Sequence, residues 1–162
     1  MYYRITLFIS LIVCLLLQAC LQSSVYEKHI DIAKFQWNTK DVCSYDIDIT
    51  DTTAQYQIFL MLRHTDEYNF SNIILKIETQ APDKTLTSVT TDIPLAEDNG
   101  KWLARGMEEI YEHKMPLTKN GSPLVFNQKG IYNISIQHIM RENPLDHIMS
   151  VGIRLEKINK QP

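Results

Sequence analysis

From Val25 to its end the chain alternates apolar and polar residues with a period of two, and no window supports a long amphipathic helix. Val25 to Ile32 reads as a first strand with Tyr26 and Ile30 inward. Asp41 to Thr50 follows, with Cys43, Tyr45, Ile47 and Ile49 on one face. In Gln55 to Arg63 the inward residues are Tyr56, Ile58, Leu60 and Leu62. Phe59 and Met61 make the opposite face apolar too, as a central strand requires. Asn72 to Thr79 and Thr85 to Ile93 flank Ala81-Pro82-Asp83-Lys84, where proline presets φ and Asp follows, so they form a hairpin. Lys101 to Gly106 and Glu109 to Leu117 are strand-like, and Met107 to Ile110 fits either a strand or one helical turn. Gly130 to Met140 points Tyr132, Ile134, Ile136 and His138 to one side. His147 to Lys157 closes the pattern, with Ile148, Ser150, Gly152 and Arg154 opposite Met149, Val151, Ile153 and Leu155. Phe35 and Trp37 are placed to cover one end of the core. The prediction is an all-β protein built as a single antiparallel β-sandwich, with jelly-roll and immunoglobulin-like connections both open.

The first nineteen residues break this pattern. Arg4 is the only charge before Glu27, and Ile5 to Leu17 is almost unbroken apolar. The run suits the helix of a secretion signal and falls short of the ~20 residues that span a bilayer. It ends at Leu17-Gln18-Ala19-Cys20. A small residue before a cysteine suits a peptidase that cuts once the thiol carries lipid. The stretch resembles the bacterial lipobox, although Gln18 stands where a small residue is usual. The expected organisation is a cleaved signal over 1–19 with cleavage between Ala19 and Cys20, a lipidated tether over 20–24, and the sandwich over 25–160. Several acyl chains on Cys20 would hold the protein at a membrane, at ~0.8 kcal/mol per buried CH₂. No acidic run follows Cys20, which favours retention inside the envelope.

Charge and cysteine content narrow the partners. The chain has 16 Lys and Arg against 19 Asp and Glu, and cleavage would remove only Arg4 from that balance. With no basic block, nucleic acid is not an expected partner. Cys14 leaves with the signal and Cys20 takes lipid, so Cys43 stays alone and reads as a small buried hydrophobe.

The search for chemistry is negative. The five histidines show no His-x-x-x-His or His-Glu-x-x-His spacing, and there is no Cys-x-x-Cys. His138 and His147 could meet across the Asn143-Pro144 loop but lack a third metal ligand. Asp46, Asp48 and Asp51 lack the glycine and distal glutamate of an EF-hand and fit a solvated strand face. Gly-x-Ser-x-Gly and glycine-rich phosphate loops do not occur. Neither cofactor nor metal is expected, and no enzyme. Two stretches are richer than a core requires: a loop over Leu62–Asn72, with Arg63, His64, Tyr68 and Asn72, and a second over His138–Met149, with Arg141, Asn143 and Pro144. Such residue types carry protein contacts when exposed.

These stretches also carry a family resemblance. Cys20, Val25-Tyr26-Glu27-Lys28 with Trp37, Leu62-Arg63-His64-Thr65 with Tyr68 and Ser71-Asn72, and Ala81-Pro82-Asp83 belong to it. So do Pro94 through Trp102, Met140-Arg141-Glu142-Asn143-Pro144-Leu145 and Val151 through Lys157. Together they make the chain similar to the gliding motility lipoprotein GldH family of the Bacteroidetes over nearly its whole length. The resemblance implies a non-enzymatic envelope lipoprotein, at the outer membrane facing the periplasm. It would work in moving surface adhesins, alongside other gliding lipoproteins and the type IX secretion machinery. Beyond Cys20 it implies no functional residues. An envelope glycan-binding sandwich is the alternative, which needs Trp37 or Trp102 flat on the surface. An undetected hydrolase ranks third.

Overall fold

A computed structural model describes residues 24–158. Ala19 and Cys20, with the whole signal and most of the tether, lie outside the described residues. The strands are β1 (Ser24–Asp31), β2 (Gln36–Trp37), β3 (Cys43–Ile49), β4 (Gln55–Thr65), β5 (Asn72–Gln80) and β6 (Leu86–Pro94). They continue with β7 (Arg105–Met107), β8 (Ile110–Pro116), β9 (Gly130–His138), β10 (Leu145–Asp146) and β11 (Ile148–Ile158). Two single turns of 3₁₀ helix, Ala33–Phe35 and Lys119–Gly121, complete the list.

One sheet runs β1-β11-β4-β8-β7 and the other β3-β9-β5-β6, both antiparallel, with β10-β2 as a small ribbon at one end. The pairing is nested. β1 pairs with β11, β3 with β9, β4 with β8, and β5 with β6. That order is the jelly roll, so the choice between jelly-roll and immunoglobulin-like connections is resolved.

The alternation explains why these segments are strands. In β3 every second residue is buried, and the buried set is Cys43, Tyr45, Ile47 and Ile49. In β9 it is Tyr132, Ile134, Ile136 and His138. β4 buries Phe59 and Met61 on its outer face as well, as its central place in the five-stranded sheet demands. The two inner faces meet in one core, where Leu60, Leu62, Ile153 and Leu155 face Tyr45, Ile47, Leu75 and Ile136. Each such side chain contributes about 1.5–3 kcal/mol by burial. A polar tie crosses between the sheets where the Tyr45 hydroxyl donates to the Val151 carbonyl at 2.7 Å.

Three local expectations are corrected, at Phe35, at Ile148 and at Lys101 to Ala104, and one left open, at Met107 to Ile110, is decided. Lys34 and Phe35 take positive φ (56° and 57°), and this left-handed turn throws Phe35 outward, so only Trp37 closes the core. The β4–β11 register shifts between Ile148 and Ser150, and this bulge brings Ile148 into the core with Val151, Ile153 and Leu155. Met107 to Ile110 is the β7–β8 hairpin, with Glu108 at φ 58°, and not a helical turn. Lys101 to Ala104 is not strand, apart from an isolated bridge between Trp102 and Ala96.

The hairpin at Ala81–Lys84 forms as predicted. Lys84 N–H donates to the Ala81 carbonyl at 2.9 Å, and Asp83 Oδ1 accepts from Thr85 N–H at 2.9 Å. This turn lies at the same end of the sandwich as Ser24 and Ile158. Thr65, Asn72, His138 and Ile148 lie at the other.

Candidate functional site

At that second end the two contact-like stretches come together. Thr65 N–H donates to the His147 carbonyl at 3.1 Å, and His147 Nδ1 lies 3.4 Å from Glu67 Oε2. Asn143 Oδ1 accepts from Thr39 N–H at 2.9 Å, and Gln36 Nε2 donates to Asp146 Oδ1 at 3.0 Å. The Ser71 carbonyl accepts from Leu95 N–H at 2.7 Å and Ala96 N–H at 3.1 Å. Four loops, roughly 32–42, 65–71, 95–104 and 139–147, therefore form one cap over the strand ends.

Beneath the cap is a cluster of rings. His64 packs on Trp102 (4.5 Å between centroids), His113 (5.0 Å), Tyr68 (5.2 Å) and Tyr111 (5.7 Å). His64 and His113 are almost wholly buried, and their Nε2 atoms stand 2.9 Å apart. Their proton positions follow from the partners. His64 Nδ1 lies 2.7 Å from the Thr65 carbonyl, which can only accept, so Nδ1 carries the hydrogen. His64 Nε2 is then an acceptor, and His113 Nε2–H donates to it. His113 Nδ1 is left bare, buried and without a partner. Burial lowers the His64 pKa, with the Thr65 carbonyl opposing. Burial, then the proximity of His64, pushes His113 down to about 4. The pair is neutral at pH 7 and orders the cap from below. Among the described residues no three His, Cys, Asp or Glu side chains gather as a metal site.

The sequence-predicted contact residues divide. Arg63, Arg141 and Asn143 are exposed, Arg63 lying 3.3 Å from Glu112. Pro144 is half-buried, and so is Asn72, whose amide donates to Asp92 Oδ1 at 2.7 Å. His64 (0 % exposed) and Tyr68 (4 %) point inward, and the Tyr68 hydroxyl donates to the Asn72 carbonyl at 3.0 Å. These two therefore shape the cap without presenting themselves on it. The reason is that β4 runs on to Thr65, so His64 continues the inward series of Leu60 and Leu62. Phe35 and Ile139 add exposed apolar surface at this end.

His138 and His147 do not meet. His138 is buried against Trp37, with centroids 5.1 Å apart, and burial lowers its pKa. Trp37 is fully buried and Trp102 lies within the ring cluster, so neither offers the flat surface that the glycan reading needs. Cys43 is buried and free, its thiol pushed up to about 11 by burial, which makes it inert. Asp46 accepts from the Asn133 amide at 2.7 Å on the outer face of β3. His113 was missed. Its inward place in the series Tyr111, His113, Met115 was legible, but its meeting with His64 depends on a strand pairing that is not.

The family model of the GldH lipoprotein matches residues 24–155. A curated relative from Christiangramia forsetii, the "Gliding motility lipoprotein GldH homolog", is 29% identical over 94% of this chain and 95% of its own length. The "Gliding motility lipoprotein GldH" of Flavobacterium johnsoniae is 25% identical over 92% and 94%. Among solved structures, a cellulose-specific carbohydrate-binding module of family 28 aligns at a TM-score of 0.45. The alignment has 10% identity and covers 82% of this chain and 73% of that one.

Proposed function

Because the chain belongs to the GldH lipoprotein family, we propose that it is a non-enzymatic component of the gliding motility apparatus, lipidated on Cys20 and held at the outer membrane on its periplasmic side. In this reading residues 1–19 are removed between Ala19 and Cys20, and residues 20–24 are the tether of a sandwich that runs from 25 to about 160. The loop cap is the face that meets other gliding and secretion proteins.

The observation that carries this reading is the polarity of the fold. Cys20 lies only a few residues before Ser24, the start of β1. β1 then climbs 8 residues toward the cap, roughly 26 Å at ~3.3 Å per residue. A lipid at Cys20 therefore holds one end of the sandwich at the bilayer and turns the cap, with Arg141 and Asn143, and Arg63 beside it on the outer face of β4, into the periplasm. Replacing Cys20 by alanine in the native cell tests it. The expected result is loss of the protein from the membrane fraction, with loss of surface spreading or an altered secreted-protein profile. A Cys20→Ala protein that stays in the membrane fraction, or a strain unchanged in both phenotypes, would overturn the proposal.

A further inference from the structure

The edge strands of the two sheets differ in how they are guarded. β1 carries Glu27, Lys28, His29 and Asp31 and a bulge near Ser24. β3 carries Asp46 and Asp48, and β7 is only 3 residues long. β6 has 9 residues, Leu86–Pro94, with Asp92 as its one charge and an unbroken register to β5. Long, flat, nearly neutral edges invite strand addition, and proteins that leave them so have them covered.

The ladder shows which groups are free. Leu95 N–H donates to the Ser71 carbonyl at 2.7 Å, and Ile139 N–H to the Ile74 carbonyl at 2.9 Å. Antiparallel bonding alternates along a strand. Odd-numbered residues of β6 therefore bond to β5, and the N–H and C=O groups of Leu86, Ser88, Thr90 and Asp92 face outward. Among the described residues no strand lies on that side.

The same edge is open underneath. The odd-numbered side chains of β6 point between the sheets, yet Val89 is 60 % exposed, with no described element over it. It stands at the mouth of a cleft of about 650 Å³ walled by Ile77, Val89 and Ile93 on one side and Ile58, Leu117 and Phe126 on the other. Among the described residues no charged side chain lines the cleft. We infer that β6 receives an extended segment of another polypeptide, which adds to the four-stranded sheet and sends bulky uncharged apolar side chains into the cleft.

Two observations select this occupant. An apolar small molecule would fill the cleft and leave the outward backbone groups unpaired. A second copy, pairing β6 with β6, would satisfy the backbone. It would bring only Thr87, Val89, Thr91 and Ile93 to the seam, together with an open cleft of its own, and would fill neither. A neutral lining matched by uncharged side chains, with a hydrogen-bonding edge matched by a strand, fits an alternating apolar segment. This inference does not depend on how the chain is anchored.

The test uses the full lipidated chain in lipid nanodiscs and a fluorescent 9-residue peptide alternating Phe and Thr, matched in length to β6. Anisotropy should rise saturably. Thr90→Pro removes one outward N–H and leaves the β5 ladder intact, which an edge strand tolerates. Val89→Glu puts a carboxylate at the cleft mouth. Each should weaken the peptide about tenfold or more, with melting unchanged. The same peptide N-methylated on alternate amides should also fail to bind, which asks the question independently of whether Thr90→Pro folds. Absence of binding to the wild type would overturn the inference, as would equal binding by Thr90→Pro and by the N-methylated peptide. So would a wild-type dimer that Thr90→Pro dissolves and the peptide does not.

Discussion

Acidification from pH 7 to pH 5 should cost this protein about 2 kcal/mol of folding stability through His113 alone. Burial beside His64 holds the folded-state pKa of His113 at about 4, against 6.5 in the unfolded chain. The unfolded chain therefore takes up the proton first as the pH falls. Stability is complete above 6.5 and is lost progressively between 6.5 and 4. Linkage integrated from pH 7 to pH 5 gives about 2 kcal/mol for one such group. The structure gives the loss its cause. A proton on His113 would sit on Nδ1, which is buried and faces no acceptor, because Nε2–H is already donated to His64. His64 and His138 shift in the same direction and add to the loss. Glu27 and Glu156 are lowered from 4.5, so the stability they add is present above 4.5 and is lost below it, outside the pH 7-to-5 comparison. Urea unfolding followed by tryptophan fluorescence at pH 7, 6 and 5 measures the effect. His113→Gln is the control, since its amide can still donate toward His64 and does not titrate. It should reduce the pH 7-to-5 difference by about 2 kcal/mol. An unchanged difference in His113→Gln, or a wild type equally stable at both pH values, would refute the assignment of a buried neutral pair.

Two further perturbations probe the sandwich. Tyr45→Phe removes the hydroxyl bonded to the Val151 carbonyl and should cost about 1 kcal/mol in equilibrium unfolding, since a buried acceptor loses its partner. Gly152→Ala places a Cβ 2.7 Å from His29 Nδ1 and 2.9 Å from the Lys28 carbonyl, so β1 must shift. A loss of about 1–3 kcal/mol is expected, with faster amide exchange confined to β1 and its neighbour.

The residues that alternate were legible in the sequence, and those whose place depends on distant pairing were not. The strands β3, β4 and β9 could be read because one face is buried and the period is fixed. The jelly-roll order could not, since nothing within β1 states that it pairs with β11, more than a hundred residues on. Local backbone exceptions hid in the same way. The positive φ of Phe35 and the bulge after Ile148 reverse the side a residue faces without changing its type. The two stretches singled out in the sequence do come together at the cap, but they were read as loops where β4 and β11 supply part of each. Extending the alternation of β4 two residues past Leu62 would have put His64 inside. His113 needed the β4–β8 register, which sets it opposite Leu62.

Under the proposed function the cap, at the end away from Cys20, is the surface that meets partners. The measurement is surface spreading and secretion in cells whose own copy is replaced by one with charge reversed at two exposed positions of that end, Arg63→Glu with Arg141→Glu. The expected result is a protein that remains in the membrane fraction and melts as the wild type does, in cells with the same defect in spreading or secretion as Cys20→Ala. Wild-type spreading and secretion from a stable, membrane-held double variant would contradict it.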